Sequence, residues 1–161
     1  MRSLTEQDIR GSFVDCSKGG GQASVRTPRS RGAGLERAGL PGLAGGRPDR
    51  SYLVAASEGR PVGVAMRFQP ARRGFLHRSM CSLCLTTHPR GGVSLMTACR
   101  AGAAGREGNS VGAYLCTDLA CSLYLRGKKV PETGLRFEEA LTLEEQIART
   151  LNNLHAFLDK V

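Results

Sequence analysis

The chain has 161 residues, enough for one ordinary domain with a modest core, and aromatic residues at 5% with no Trp leave it few large anchors. Lys and Arg outnumber Asp and Glu by 23 to 14, and the resulting charge of +9 favours an acidic partner such as a nucleic acid, an anionic protein or the ribosome without choosing among them. No apolar run approaches the roughly 18 residues of a membrane span, and residues 1–10 lack the apolar stretch of a secretory signal. No membrane contact and a cytoplasmic location are therefore expected. In that reducing compartment six cysteines point to metal rather than to disulfides.

In chain order, residues 3–10 predict a short helix with Ser3 and Glu6 at capping-box spacing, ended by Gly11 with Phe13 packing behind it. From Lys18 to about Arg50 the chain is crowded with Gly, Arg, Pro, Ala and Ser, and no period of 2 or 3.6 survives. That is the composition of a loop or of disorder. Order resumes with an apolar run at residues 52–56, a turn at Glu58-Gly59-Arg60 and a second run at 62–66, the signature of a β-hairpin. Pro61 suits the first position of the second strand. Residues 71–78 form a basic connector, residues 93–98 and 111–115 two further strands, and 102–108 the loop between them. A helix is predicted over 117–126, stopped by Gly127. The final helix has Thr142 as its N-cap and Glu145 completing a capping box, with Leu143, Ile147, Leu151, Leu154 and Leu158 forming an apolar stripe expected to face the core.

Two cysteine pairs carry the chemistry. Cys81-x-x-Cys84 allows the chain to turn back around a metal, and Cys116 and Cys121 do the same where a strand passes into a helix. A knuckle, a hairpin and a helix start that supplies the second pair make a treble-clef zinc finger. Four thiolates select Zn²⁺ and close its tetrahedral shell, which leaves no position for a catalytic water. The second pair also argues against a redox Cys-x-x-Cys site. His88 stands four residues after Cys84 and is the alternative fourth ligand. Cys16 and Cys99 have no partner at ligand spacing, and His77 and His155 belong to no constellation. There is no Ser-His-Asp set and no pair of acids in a plausible pocket. Residues 105–110 resemble a phosphate loop only superficially, because the Lys is missing.

Three stretches resemble the FBP family: Met80-Cys81-Ser82-Leu83-Cys84-Leu85-Thr86-Thr87-His88, Gly108-Asn109-Ser110-Val111-Gly112, and Tyr114-Leu115-Cys116-Thr117-Asp118-Leu119-Ala120-Cys121-Ser122. These are elongation factor G-binding proteins with a C-terminal treble-clef zinc finger. Phe13-Val14-Asp15-Cys16-Ser17-Lys18-Gly19 resembles the family's opening, so the likeness covers residues 5–19 and 51–161. The family includes fusidic-acid-resistance proteins, whose N-terminal helical bundle has no counterpart in this sequence. The resemblance implies a non-enzymatic protein that binds elongation factor G and modulates its release from the ribosome. It also implies that Cys81, Cys84, Cys116 and Cys121 hold one structural Zn²⁺. Arg126, Lys128 and Lys129, beside the finger helix, are nominated as partner-binding residues. Their bland alternative is a solvated basic helix end.

The likeness lapses between Gly20 and about Ser51. A one-base shift of frame permits Glu-Ala-Lys-Arg from Gly20-Gly21-Gln22-Ala23 and Phe-Leu-Gly-Trp-Arg from Leu40-Pro41-Gly42-Leu43-Ala44, which are residues the family leads one to expect. Residues 20–46 are accordingly read as a frameshifted stretch without order, against a genuine low-complexity loop. The expectation is an α+β fold in one small domain: an N-terminal helix and domain start over 1–19, a low-complexity segment over 20–50, and a treble-clef domain over 51–161 with a β-hairpin and a C-terminal helix. A monomer is expected. The rival function is a zinc finger that binds ribosomal or other RNA, although stacking aromatics are scarce.

Overall fold

In the computed structural model, which describes residues 5–15, 42–44, 50–57, 59–68, 78–89, 91–132 and 139–161, the first element starts at a reciprocal cap. The Thr5 hydroxyl accepts the Asp8 N–H, and the Asp8 carboxylate accepts the Thr5 N–H at 2.8 Å, launching α1 (Glu6–Gly11). The box expected at Ser3 and Glu6 is therefore formed two residues later, where Asp in place of Glu serves equally as the acceptor. Strand β1 (Gly42–Ala44) pairs antiparallel with β2 (Arg50–Ser57). The expectation of no order over 20–50 is thus corrected at Gly42–Ala44 and at Arg50, the first residue of β2; 20–41 and 45–49 lie outside the described residues.

The predicted hairpin is β2 with β3 (Arg60–Phe68), in register from Arg50↔Arg67 to Ser57↔Arg60. Gly59 sits in its turn at φ +76, a conformation that glycine adopts without strain. The small ribbon β4 (Ser79–Met80) and β5 (Thr87–His88) follows, and then β6 (Val93–Cys99). A short helix α2 (Gly102–Arg106) occupies the expected loop and leads into β7 (Ser110–Cys116). The last two elements are α3 (Cys121–Leu125) and α4 (Leu143–Leu158).

The sheet runs β1-β2-β3-β6-β7 with every neighbouring pair antiparallel. Strand alternation places Leu53, Val64, Met66, Met96, Ala98 and Leu115 on one face, all with no exposed surface. β6 pairs with only Met66–Phe68 of β3. The free edge of β3 beyond it is taken by the segment after α1. Gly63 N–H donates to Ser12 O, Val14 N–H donates to Gly63 O, and Asp15 accepts the Ala65 N–H. A Cβ at Gly63 would lie 2.6 Å from Ser12 Oγ and 3.2 Å from the Phe13 ring, so any larger residue here would push these side chains aside. Phe13 then stacks edge-on against Tyr52 across the outer face of the sheet.

α4 begins as expected, with Thr142 and Glu145 in a reciprocal box. Its buried face differs from the leucine stripe. Gln146, Thr150, Leu154 and Phe157 are buried, whereas Leu143 is 45% and Leu151 40% exposed. At 100° per residue the buried face is turned by about 60° from the stripe. The polar members of the turned face meet backbone groups: Gln146 Nε2 donates to Leu141 O, and the neighbouring Asn153 Nδ2 donates to Leu83 O at 3.0 Å. Phe157 supplies the bulk. Among the described residues, no helix is long and apolar enough to cross a membrane. The rotation of α4 is testable: Leu154→Ala should cost about 2–5 kcal/mol in urea unfolding, and Leu151→Ala less than about 1 kcal/mol. Equal losses at the two positions would show that the leucine stripe is the packed face.

Candidate metal centre

The first pair of cysteines lies at the end of the β4–β5 ribbon. Leu85 N–H donates to Cys81 O and Cys81 N–H to Thr86 O, which closes a tight knuckle over residues 81–86. Leu85 turns the chain back at φ +56. Ser82 N–H donates to Tyr114 O at 2.7 Å and fastens the knuckle to β7. The second pair is delivered by β7 and α3. Cys116 ends the strand, Leu119 N–H returns to Cys116 O, and Leu119 adopts φ +52 with its side chain buried. The helix expected over 117–126 therefore shortens to Cys121–Leu125, because a left-handed residue at 119 cannot continue a right-handed helix. Cys121 is its first residue.

These four sulfurs converge. Sγ of Cys81 lies 3.7 Å from Sγ of Cys121, Sγ of Cys84 lies 3.6 Å from Sγ of Cys116, and all four fall within 4.8 Å of one another. A tetrahedron with Zn–S bonds of about 2.3 Å has S···S edges of about 3.8 Å. The donor set is all thiolate, fully buried and closed, and it fits one structural zinc ion. Hydrogen bonding to Cys116 holds Cys81 and Cys84 below the ordinary thiol value, while Cys116 is driven far above it by its hydrogen bond to Cys121. Four thiolates ionise together only around a divalent cation.

His88 is not a fifth donor in this cluster. It is 4% exposed, and its Nε2 lies 3.3 Å from Cys116 Sγ, which places it behind the sulfur. Burial lowers its pKa. Tyr124 packs edge-on against it with ring centroids 4.6 Å apart. The Tyr124 hydroxyl donates to Asp118 at 2.8 Å, and the other Asp118 oxygen accepts the Ala120 N–H. Burial raises the Asp118 pKa, but the Lys129 ammonium, the Ala120 N–H and the Tyr124 hydroxyl outweigh it and hold the carboxylate ionised. Sequence reasoning missed Asp118 and Tyr124. The available signal was an Asp two residues into the second knuckle, a position where a short acceptor caps the following backbone N–H.

The three nominated partner-binding residues divide. Lys129 is tied to Asp118 and sits over the Tyr124 ring, so it belongs to the finger's own structure. Arg126 is the half-buried C-cap of α3, and Lys128 is exposed. Of the other residues weighed, Cys99 is exposed and His155 Nε2 meets Ala56 O. Cys16 and His77 lie outside the described residues.

Compared with known proteins, residues 8–161 match the model of one family, described as FBP C-terminal treble-clef zinc-finger. No curated protein and no solved structure matches the chain. The match spans the low-complexity segment as well as the finger. The metal itself is testable: purified protein should carry about one zinc per chain by elemental analysis, and Cys116→Ser should lose it together with the cooperative unfolding transition of the finger. A metal-free protein with undiminished thermal stability would refute the site.

Proposed function

The chain belongs to the FBP C-terminal treble-clef zinc-finger family, and on that premise we propose that it is a non-enzymatic, cytoplasmic, monomeric protein that binds elongation factor G and modulates its release from the ribosome. The match over residues 8–161 carries the reading, together with the finger motifs that resemble the elongation factor G-binding proteins. A closed four-thiolate shell supports a structural rather than a catalytic metal. The surface beside α3 supports a protein partner. Leu123 is 37% and Val130 61% exposed, and the exposed cation Lys128 and half-buried Arg126 lie between them in the chain. Apolar anchors interleaved with cations suit an acidic protein surface better than a phosphate chain, which needs no apolar contact.

A second reading, RNA binding, rests on one observation. Tyr114 is 56% exposed on the outer face of the sheet, opposite Leu95 at 47%, and an exposed aromatic ring on a strand is a stacking platform. With a net charge of +9, weak binding to phosphates would follow in any case.

The two readings separate by titrating the protein with elongation factor G and with single-stranded RNA across a salt series. A saturable one-to-one complex with the factor, weakened on the order of tenfold in association rate by Lys128→Glu with Arg126→Gln, is the expected result. The pair avoids Lys129, whose reversal would set a carboxylate against Asp118 and mix a change in the finger with a change in binding. Affinity for the factor unchanged by this pair would remove the α3 surface from the interface. No affinity for the factor, with RNA binding that falls steeply with salt and is lost in Tyr114→Ala, would favour the second reading.

A further inference from the structure

Zinc-bound thiolates carry no proton, so a ring nitrogen 3.3 Å from one of them must itself be the donor. That constraint gives His88 a defined role. We infer that His88 is a positioning residue of the metal centre, donating its Nε2–H to Cys116 Sγ and thereby slowing the loss of zinc from the second knuckle. The inference depends on the zinc site alone and stands whether or not elongation factor G is the partner.

The surroundings of the ring are built for that donation. Gly92 leaves the space the ring occupies: a Cβ there would lie 2.6 Å from His88 Cβ and 3.0 Å from Nδ1. Gly92 is itself fixed, since its N–H donates to Pro89 O and its carbonyl accepts the N–H of Thr117, the residue after Cys116. On the other side Tyr124 holds the ring edge-on, and Asp118 holds the Tyr124 hydroxyl. The ring is thus clamped between a backbone turn and an aromatic side chain. Both clamps connect to the 116–121 knuckle, through Thr117 and through Asp118. Four thiolates around Zn²⁺ leave a net charge of about −2 in a buried site, so each sulfur gains from an N–H donor. Cys116 has the fully buried surroundings in which such a donor is worth most.

The test uses zinc-loaded protein and three readouts. Long-range ¹H–¹⁵N correlation on wild-type protein should show His88 protonated at Nε2. With ¹¹³Cd²⁺ in place of zinc, the His88 Hε2 should show scalar coupling to the metal through Cys116 Sγ. Zinc release to a chromogenic chelator should quicken by about tenfold or more in His88→Leu, which fills space without a donor, and stay within about twofold of wild type in His88→Gln, which restores an N–H. Protonation at Nδ1 alone would overturn the inference, as would equal release rates for the Leu variant and wild type. Release from the Gln variant as fast as from the Leu variant would overturn it too, because packing and not the donor would then be at work. Should His88→Leu fail to fold, the tautomer and the cadmium coupling in wild-type protein decide the matter.

Discussion

Convergence of four buried sulfurs within 4.8 Å is the constraint on which the rest of this molecule depends. It joins parts of the chain that have little else to hold them: a ribbon of two two-residue strands, the end of β7, and a helix of five residues. None of these is long enough to be stable alone. The metal also holds two leucines, Leu85 and Leu119, in left-handed backbone at a cost of about 1–2 kcal/mol each. Zinc binding to such a site supplies about 10–16 kcal/mol, so the strain is outweighed several-fold. In a chain without Trp, the metal performs the anchoring that large aromatic side chains perform elsewhere.

What surrounds the centre follows from its chemistry. The knuckles bury apolar side chains of their own, Leu83 and Leu119, and polar groups gather at their backbone carbonyls and sulfurs. α4 reaches the first knuckle with Asn153, whose Nδ2 donates to Leu83 O. His88 stands behind Cys116, Tyr124 against His88, and Asp118 receives Tyr124, Lys129 and Ala120. On the far side the apolar sheet face built on Leu53, Val64, Met66, Met96 and Leu115 completes the core. The four cysteines lie inside that same core, and Leu154 and Phe157 of α4 pack into it.

The same network separates structural from available charge. Lys129 is a surface cation as well, but its ammonium pairs with Asp118 and lies over the Tyr124 ring. Lys128, one residue earlier, is exposed. The apolar residues Leu123 and Val130 are exposed in the same stretch, which gives the α3 surface the mixed character of a protein interface rim.

The sequence by itself determined the four ligands, the hairpin, the strands that bracket the second pair and the capped C-terminal helix. Each is a local signal, since cysteine spacing, strand alternation and capping boxes act over a few neighbouring residues. It was misleading wherever a distant partner decided the outcome. The leucine stripe of α4 promised one buried face, but the helix buries Gln146, Thr150, Leu154 and Phe157 instead, with Asn153 donating to the knuckle carbonyl of Leu83. The helix expected over 117–126 lost its first turn because the metal requires Leu119 to reverse the chain, and leucine carries no local signal for that. Gly42–Ala44 became a strand only because the edge of β2 was there to pair with it. His88 was legible as a metal-site residue from its distance to Cys84. Its place behind Cys116 rather than beside it was decided by Gly92 and Tyr124, which the fold brings to the ring from elsewhere in the chain.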